Sequence, residues 1–376
     1  MAQILSVEAT TAVVPLDVPT SFATRSVTAR QYSLVRITCD DGSRGIGFCY
    51  GGSTSGELST LAALDLLAPV LIGQDPHRTE GLWDDMYQEA LLQGRAGSVM
   101  RALSSLDIAL WDRNARAAGL PLWRMLGATS SGTVPAYASG GYYVEGKGDE
   151  ELVAEVLSYV NAGFNAVKIK VGKLAPLAEE TRVAAVRDAI GPDVLLMLDA
   201  NNAWRDLPTA MRTIERFVDF DPYWIEEPFS PDDIANHARL ARKIPFAVAT
   251  GEIEAGRWRH KALLDAEAAI ILQTDAAVCG GITEFRRIAA LASAYGVQLA
   301  PHWFHDLHAP LVGATSNADF VEFFPDEEVL NFRRLVSRQL QVEDGALRLH
   351  EIPGLGFDFD EEFLATVSSG WRRRAA

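Results

Sequence analysis

The chain has 376 residues, 48 % hydrophobic and 22 % charged, values of a folded protein that exclude a disordered or low-complexity chain. Fifty acidic against 34 basic residues give a formal charge of −16, the wrong sign for a nucleic-acid or anionic-membrane footprint, and the best basic run, Trp371-Arg-Arg-Arg, reads as a solvated tail. Cys39, Cys49 and Cys279 lack CxxC spacing, so neither a disulfide framework nor a zinc site is expected. With no signal-like N-terminus and no apolar run of ~18 residues, the expectation is a cytoplasmic protein with no membrane contact.

Along the chain, Ile4 to Val14 alternates like a strand, and Tyr32 to Cys39 and Gly45 to Tyr50 flank an Asp40-Asp41-Gly42 turn signal that predicts a hairpin. Helical periodicity follows in Leu58 to Leu71, closed by Gly73. It returns in Val99 to Ala118, where Leu103, Leu106, Leu110 and Trp111 share a face before Gly119-Leu-Pro121. Residues 1–128 therefore read as an α+β block, a small antiparallel sheet on helices.

From about Thr133 the texture changes. Short apolar runs alternate with amphipathic stretches: Val134 to Ala138, Ala166 to Val171, Val194 to Asp199, Tyr223 to Glu226, Phe246 to Glu252, Ile270 to Asp275, Val297 to His302 and Phe320 to Phe324. Helical segments such as Asp149 to Ala162, Leu177 to Ile190 and Glu284 to Tyr295 separate them, so the sheet is parallel. An open doubly wound sheet has the same alternation, but eight repeats favour a closed barrel over residues 129–329. The segment 330–376 returns to irregular or strand-like texture and is expected to rejoin the first block.

A parallel barrel carries its chemistry at the C-terminal ends of its strands. Reading those ends gives Lys168 and Lys170, Asp199, Glu226, Glu252, Asp275, His302 and Glu322. A charge at a strand end is ordinary by itself, because such ends reach solvent. Several of these follow apolar runs, however, and so cap buried strands that converge. Asp199, Glu226 and Glu252 stand 27 and 26 residues apart, one per repeat, and three converging carboxylates call for a hard divalent cation such as Mg²⁺. Lys168 and Lys170 share one strand face; two neighbouring ammonium groups are expected to lower each other's pKa toward the range of a base. Asp275 is placed to orient His302 as a general base. The cluster His302, His305, Asp306 and His308 also suggests zinc, but without HExxH spacing.

These residues resemble the enolase superfamily and, within it, the mandelate racemase subgroup. The resemblance rests on Val167-Lys-Ile-Lys-Val-Gly172, Asp199-Ala-Asn201-Asn-Ala-Trp204, Trp224-Ile-Glu-Glu-Pro228, Gly251-Glu252, Asp275 with Gly280-Gly281-Ile-Thr283, His302 and Glu322, with Leu106-Asp-Ile-Ala-Leu-Trp-Asp112 in the first block. It implies a modified (β/α)8 barrel with an α+β capping domain built from the N-terminal part and the C-terminal tail, and one Mg²⁺ per subunit of a homo-oligomer. It implies Lys170 as base on one face of a small carboxylate substrate and His302 on the other. Lys168 would neutralise the substrate carboxylate, Asn201 would lie near the α-hydroxyl, and Glu322 would hydrogen-bond the enediolate. The favoured reaction is dehydration of an acid sugar to a 2-keto-3-deoxy acid; racemisation or epimerisation of a 2-hydroxy acid is the alternative, and a binder without turnover a further one. Capping loops 19–25 and 50–55 are expected to close over the site, with Arg25 and Tyr50 as substrate contacts.

Overall fold

Ile4–Phe22 (β1), Arg25–Cys39 (β2) and Arg44–Gly52 (β3) form an antiparallel sheet in the computed structural model, which describes residues 2–325 and 330–375. The hairpin about Asp40-Asp41-Gly42 is present, with Gly42 at φ +80°, a conformation glycine adopts without cost. Helix Gly97–Ala117 lies directly on β3. A Cβ at Gly45 would stand 2.1 Å from the Ala109 carbonyl and one at Gly47 1.9 Å from that of Ser105, so only glycine permits this approach. Helix Thr79–Ala90, which the sequence pattern did not announce, buries Leu82, Trp83, Met86 and Ala90 and leaves its many polar residues outside.

The barrel strands are Thr133–Gly140 (β4), Ala166–Lys170 (β5), Leu195–Asp199 (β6), Pro222–Glu226 (β7), Ala247–Thr250 (β8), Ile271–Leu272 (β9), Gln298–Leu299 (β10) and Val321–Phe323 (β11). From β4 to β10 they pair in parallel in that order. β11 returns to β4, and Leu299 bridges Ala318, so the sheet closes. Tyr137, Ala166, Met197, Trp224, Ala249, Ile271 and Ala300 fill the lumen. A larger apolar cluster on the outside buries the other strand faces under the helices.

The tail divides between both parts. Gln341–Glu343 (β12) and Ala346–Arg348 (β13) form a hairpin whose second strand pairs antiparallel with β4. Arg372–Ala375 (β14) pairs with β1. The basic run is therefore a sheet-edge strand rather than a solvated tail: Arg372 reaches Glu57 at 2.8 Å, and Arg36 lies 3.9 Å over the Trp371 ring. The β1–β2 hairpin reaches the barrel mouth, where Ser21 and Tyr143 exchange backbone hydrogen bonds and Thr24 Oγ1 donates 3.1 Å to the Asn201 carbonyl. Among the described residues, no helix is long and apolar enough to cross a membrane.

Candidate active site at the barrel mouth

Parallel register aligns Lys170 with Asp199 and Asp199 with Glu226, so three of the candidate side chains share one level at the ends of β5, β6 and β7. Lys168 stands one pleat deeper and is fully buried. Its Nζ contacts Glu226 and Glu322 at 2.7 Å each and Asp199 at 3.7 Å, while Lys170 pairs with Asp199. Glu252, Asp275 and His302 were expected as strand ends. They lie two or three residues beyond β8, β9 and β10, because those strands are short. Side-chain bonds hold this half instead. Asp275 accepts from the Ala277 amide at 2.7 Å and from His302 Nδ1 at 3.1 Å. Glu322 accepts from the Trp303 amide at 2.7 Å.

A cavity of about 260 Å³ opens above these residues. Lys170, Glu252, Asp275, His302 and Glu322 line it from the barrel, and so does Asn201; Lys168, Asp199 and Glu226 are buried beneath its surface. Arg25 and Tyr50 line it from the first block. Pattern reasoning missed Arg30, Arg101, Glu227 and Trp303, which also line it. Glu227 had a legible signal in Glu226-Glu227-Pro228; the arginines had none, because only tertiary contact brings them to the mouth. Asn201, Asn202, Glu227, Trp303 and Phe304 have positive φ, between 26° and 62°, so backbone strain gathers in the loops after β6, β7 and β10.

Electrostatics correct one expectation. Burial opposes charge on Lys168, but the Glu226 and Glu322 carboxylates outweigh it and hold the ammonium well above its ordinary value. The same balance, with Asp199 as chief partner, raises Lys170. Carboxylates, not the neighbouring ammonium, set the sign. Burial pushes Glu322 up, yet Lys168 and His302 hold it at about 2, so here it is an acceptor. Burial works against charge on His302, but Glu252 and the Asp275 hydrogen bond lift it to about 9. Burial and Glu227 push Glu252 well above the carboxylate range.

The histidine cluster is split. His302 faces the cavity, while His308 lies behind it, donating from Nδ1 to the Trp303 carbonyl at 2.9 Å and accepting the Ala276 amide at Nε2 at 3.0 Å. His305 lies 3.4 Å from Asp306 and against the Phe323 ring, away from the cavity lining, and burial holds the imidazole below its ordinary value and the Asp306 carboxyl above its own.

A family model for the mandelate racemase / muconate lactonizing enzyme N-terminal domain matches residues 4–127, and an enolase C-terminal domain-like model matches 151–363. The chain belongs to this family. It is 35 % identical over 358 residues to L-talarate/galactarate dehydratase of Salmonella typhimurium, covering 93 % of this chain and 87 % of that one. It is 35 % identical over 363 residues to D-galactarolactone cycloisomerase of Agrobacterium fabrum, covering 93 % and 94 %. The crystal structure of L-talarate dehydratase from Polaromonas sp. JS666, complexed with Mg and L-glucarate, superposes with a TM-score of 0.89 at 31 % identity over the full length of both chains.

Among the described residues, no three His, Cys, Asp or Glu side chains are drawn together as a ready metal cluster; lysines neutralise Asp199 and Glu226, and Glu252 stands 3.5 Å from His302. The donor set nevertheless fits a hard cation. Three carboxylates cap consecutive strands or the loop just after, and Glu252 Oε2 is buried with no hydrogen-bond partner.

Proposed function

We propose that this chain is a Mg²⁺-dependent acid sugar dehydratase that begins by abstracting the proton α to a carboxylate. The observation that carries the reading is two proton-transfer groups, Lys170 and the Asp275-held His302, facing one cavity from β5 and from the loop after β10. Asp199, Glu226 and Glu252 would hold the metal, which when bound would polarise the substrate carboxylate, spread the enediolate charge and compete for the carboxylates that keep the lysines protonated.

The chain's own groups then divide the work. Lys170, as the neutral amine, takes the α-proton at Nζ. Lys168 turns to the substrate carboxylate, which removes the charge that holds Glu322 ionised. Buried Glu322 can then carry a proton and donate to the enediolate. His302, held by Asp275 on the face opposite Lys170, is placed to exchange the α-proton on that face and, as the imidazolium, gives its proton to the departing β-hydroxyl, which leaves as water. The resulting enol rearranges to the 2-keto-3-deoxy acid. Asn201, Tyr50 and Arg25 contact the remaining substrate. The reading keeps the chain as a cytoplasmic homo-oligomer, with residues 1–128 as cap, 129–329 as barrel and 330–376 as the returning segment, in line with the family resemblance.

A screen of acid sugars and 2-hydroxy acids in D₂O with Mg²⁺ tests this, reading 2-keto product and α-deuterium together. Keto product with loss of activity on chelation is expected. Deuterium with inverted configuration and no keto product would replace dehydration by epimerisation. Turnover that survives exhaustive chelation would remove the metal.

A further inference from the structure

A second groove lies on the seam between the first block and the barrel, outside the mouth. It has a volume of about 660 Å³ and is walled by Tyr87, Arg95 and Ala96 on one side and by Asp232, Ile253 and Trp258 on the other. Trp258 is 48 % exposed, Ile253 39 % and Leu91 38 %, and Leu92, on the turn that joins Tyr87 to Arg95, is 94 % exposed. Apolar surface clustered in this way favours a partner that removes it from water.

Both the protrusion and the groove are rigid. The amides of Gln93 and Gly94 donate to the Ala90 carbonyl at 3.0 and 2.9 Å, which winds the turn that carries Leu92. The Trp258 ring stacks on Tyr87 at 5.1 Å and 22°, and Tyr87 stacks on Trp83 at 5.0 Å and 15°. Little conformational freedom is left to lose when either is covered.

The charges of this face balance, although the chain carries −16. Arg95 and Arg259 stand against Asp232 and Glu254. Arg259 is committed to Glu254 at 2.9 and 3.0 Å and only skirts Asp232 at 3.7 Å. Arg95 and Asp232 remain as exposed groups of opposite sign on the two walls.

A face that carries its own knob and hole, and its own positive and negative groups, is complementary to a copy of itself turned about a twofold axis. We propose that this groove is an isologous interface between two copies of the chain, in which Leu92 of each enters the groove of the other beside Trp258, and Arg95 of each meets Asp232 of the other. A small ligand would fill the groove and leave Leu92 in water. The contact also reaches the barrel mouth, because Ile253 lines both the groove and the cavity and follows Glu252 in the chain. A partner side chain against Ile253 steadies the loop that carries Glu252, one of the three carboxylates assigned above to the metal. Assembly is independent of the enolising function; only this consequence rests on it.

Sedimentation velocity on the whole chain, without substrate, tests the interface in the wild type and in Leu92→Glu, Arg95→Asp and Asp232→Arg. All three positions are exposed, so each variant is expected to keep the wild-type circular dichroism. The wild type is expected to assemble in even numbers, and each variant to raise the dissociation constant of this contact about 10- to 100-fold. Either charge reversal sets like charges together in a homodimer, whereas mixing Arg95→Asp with Asp232→Arg restores both opposite pairs in the heterodimer. Assembly of the mixture, but of neither variant alone, is the decisive result, since pairing within one chain cannot produce it. Amide hydrogen exchange over residues 252–255 is expected to slow on assembly. A monomeric wild type, or assembly that survives Leu92→Glu and both reversals, overturns the interface. A mixture that stays dissociated overturns the Arg95–Asp232 pairing, and exchange at 252–255 that ignores assembly overturns the link to Glu252. A chain that enolises no acid leaves each of these outcomes as it stands.

Discussion

The two halves of the barrel mouth position their functional groups by different means. In the lysine half, Lys170, Asp199 and Glu226 are the last residues of five-residue strands and are aligned by the parallel ladder itself. In the histidine half the strands are two to four residues long, and Glu252, Asp275 and His302 lie in the loops that follow. Hydrogen bonds among side chains and loop amides do there what the ladder does opposite: His302 on Asp275, Asp275 on the Ala277 amide, His308 on the Ala276 amide. A ladder fixes a side chain through backbone bonds that point mutations leave in place. A side-chain relay can be cut by changing one atom.

Removing a base from either half should have the largest effect. Lys170→Ala and His302→Asn are each expected to lower turnover about 10² to 10⁴-fold. Each should abolish deuterium exchange on one stereochemical face while sparing the other; loss of both faces in either variant would collapse the distinction between halves.

The next effect separates relay from ladder. Asp275→Asn leaves His302 without its carboxylate partner and should reduce the His302-face exchange by about 10- to 100-fold through kcat, as loss of an orienting partner does. Leu198→Ala, within the β6 ladder and buried under the outer helices, should instead cost about 2 to 5 kcal/mol of stability and move both faces equally. Equal loss on both faces in Asp275→Asn would show that Asp275 supports the whole mouth.

The smallest effect is a pH slope. Burial holds His308 below its ordinary value of 6.5, against the opposing pull of Asp275. Between its folded value and 6.5 the unfolded chain binds the extra proton, so His308 stabilises the fold at neutral pH and loses that contribution as pH falls below about 6.5. The stability difference between wild type and His308→Gln, measured by urea unfolding, should therefore shrink on acidification from pH 7 to 5. A constant difference would mean that His308 titrates alike in both states.

Much of the lysine half was legible in the sequence, because its functional groups end apolar runs that are themselves strands. The histidine half was legible only by residue type. Short strands after Phe246, Ile270 and Val297 placed the strand ends too late, and nothing local distinguishes a ladder residue from the loop residue that follows it. The enediolate donor role implied for Glu322 was likewise beyond pattern, since its present state as an acceptor depends on Lys168, which is 154 positions away in the chain.

By itself, the sequence determined the strand-and-helix alternation, the capping block and the types of residue at the mouth, since periodicity and strand-end position are local properties repeated eight times. The tertiary structure alone decided the upward shift of the lysines, the division of the tail between barrel and cap, and the arrival of Arg25, Arg30 and Arg101 on one wall. Each of these is a sum over neighbours far apart in the chain, and the Coulomb and desolvation terms that set them exist only once the chain has closed.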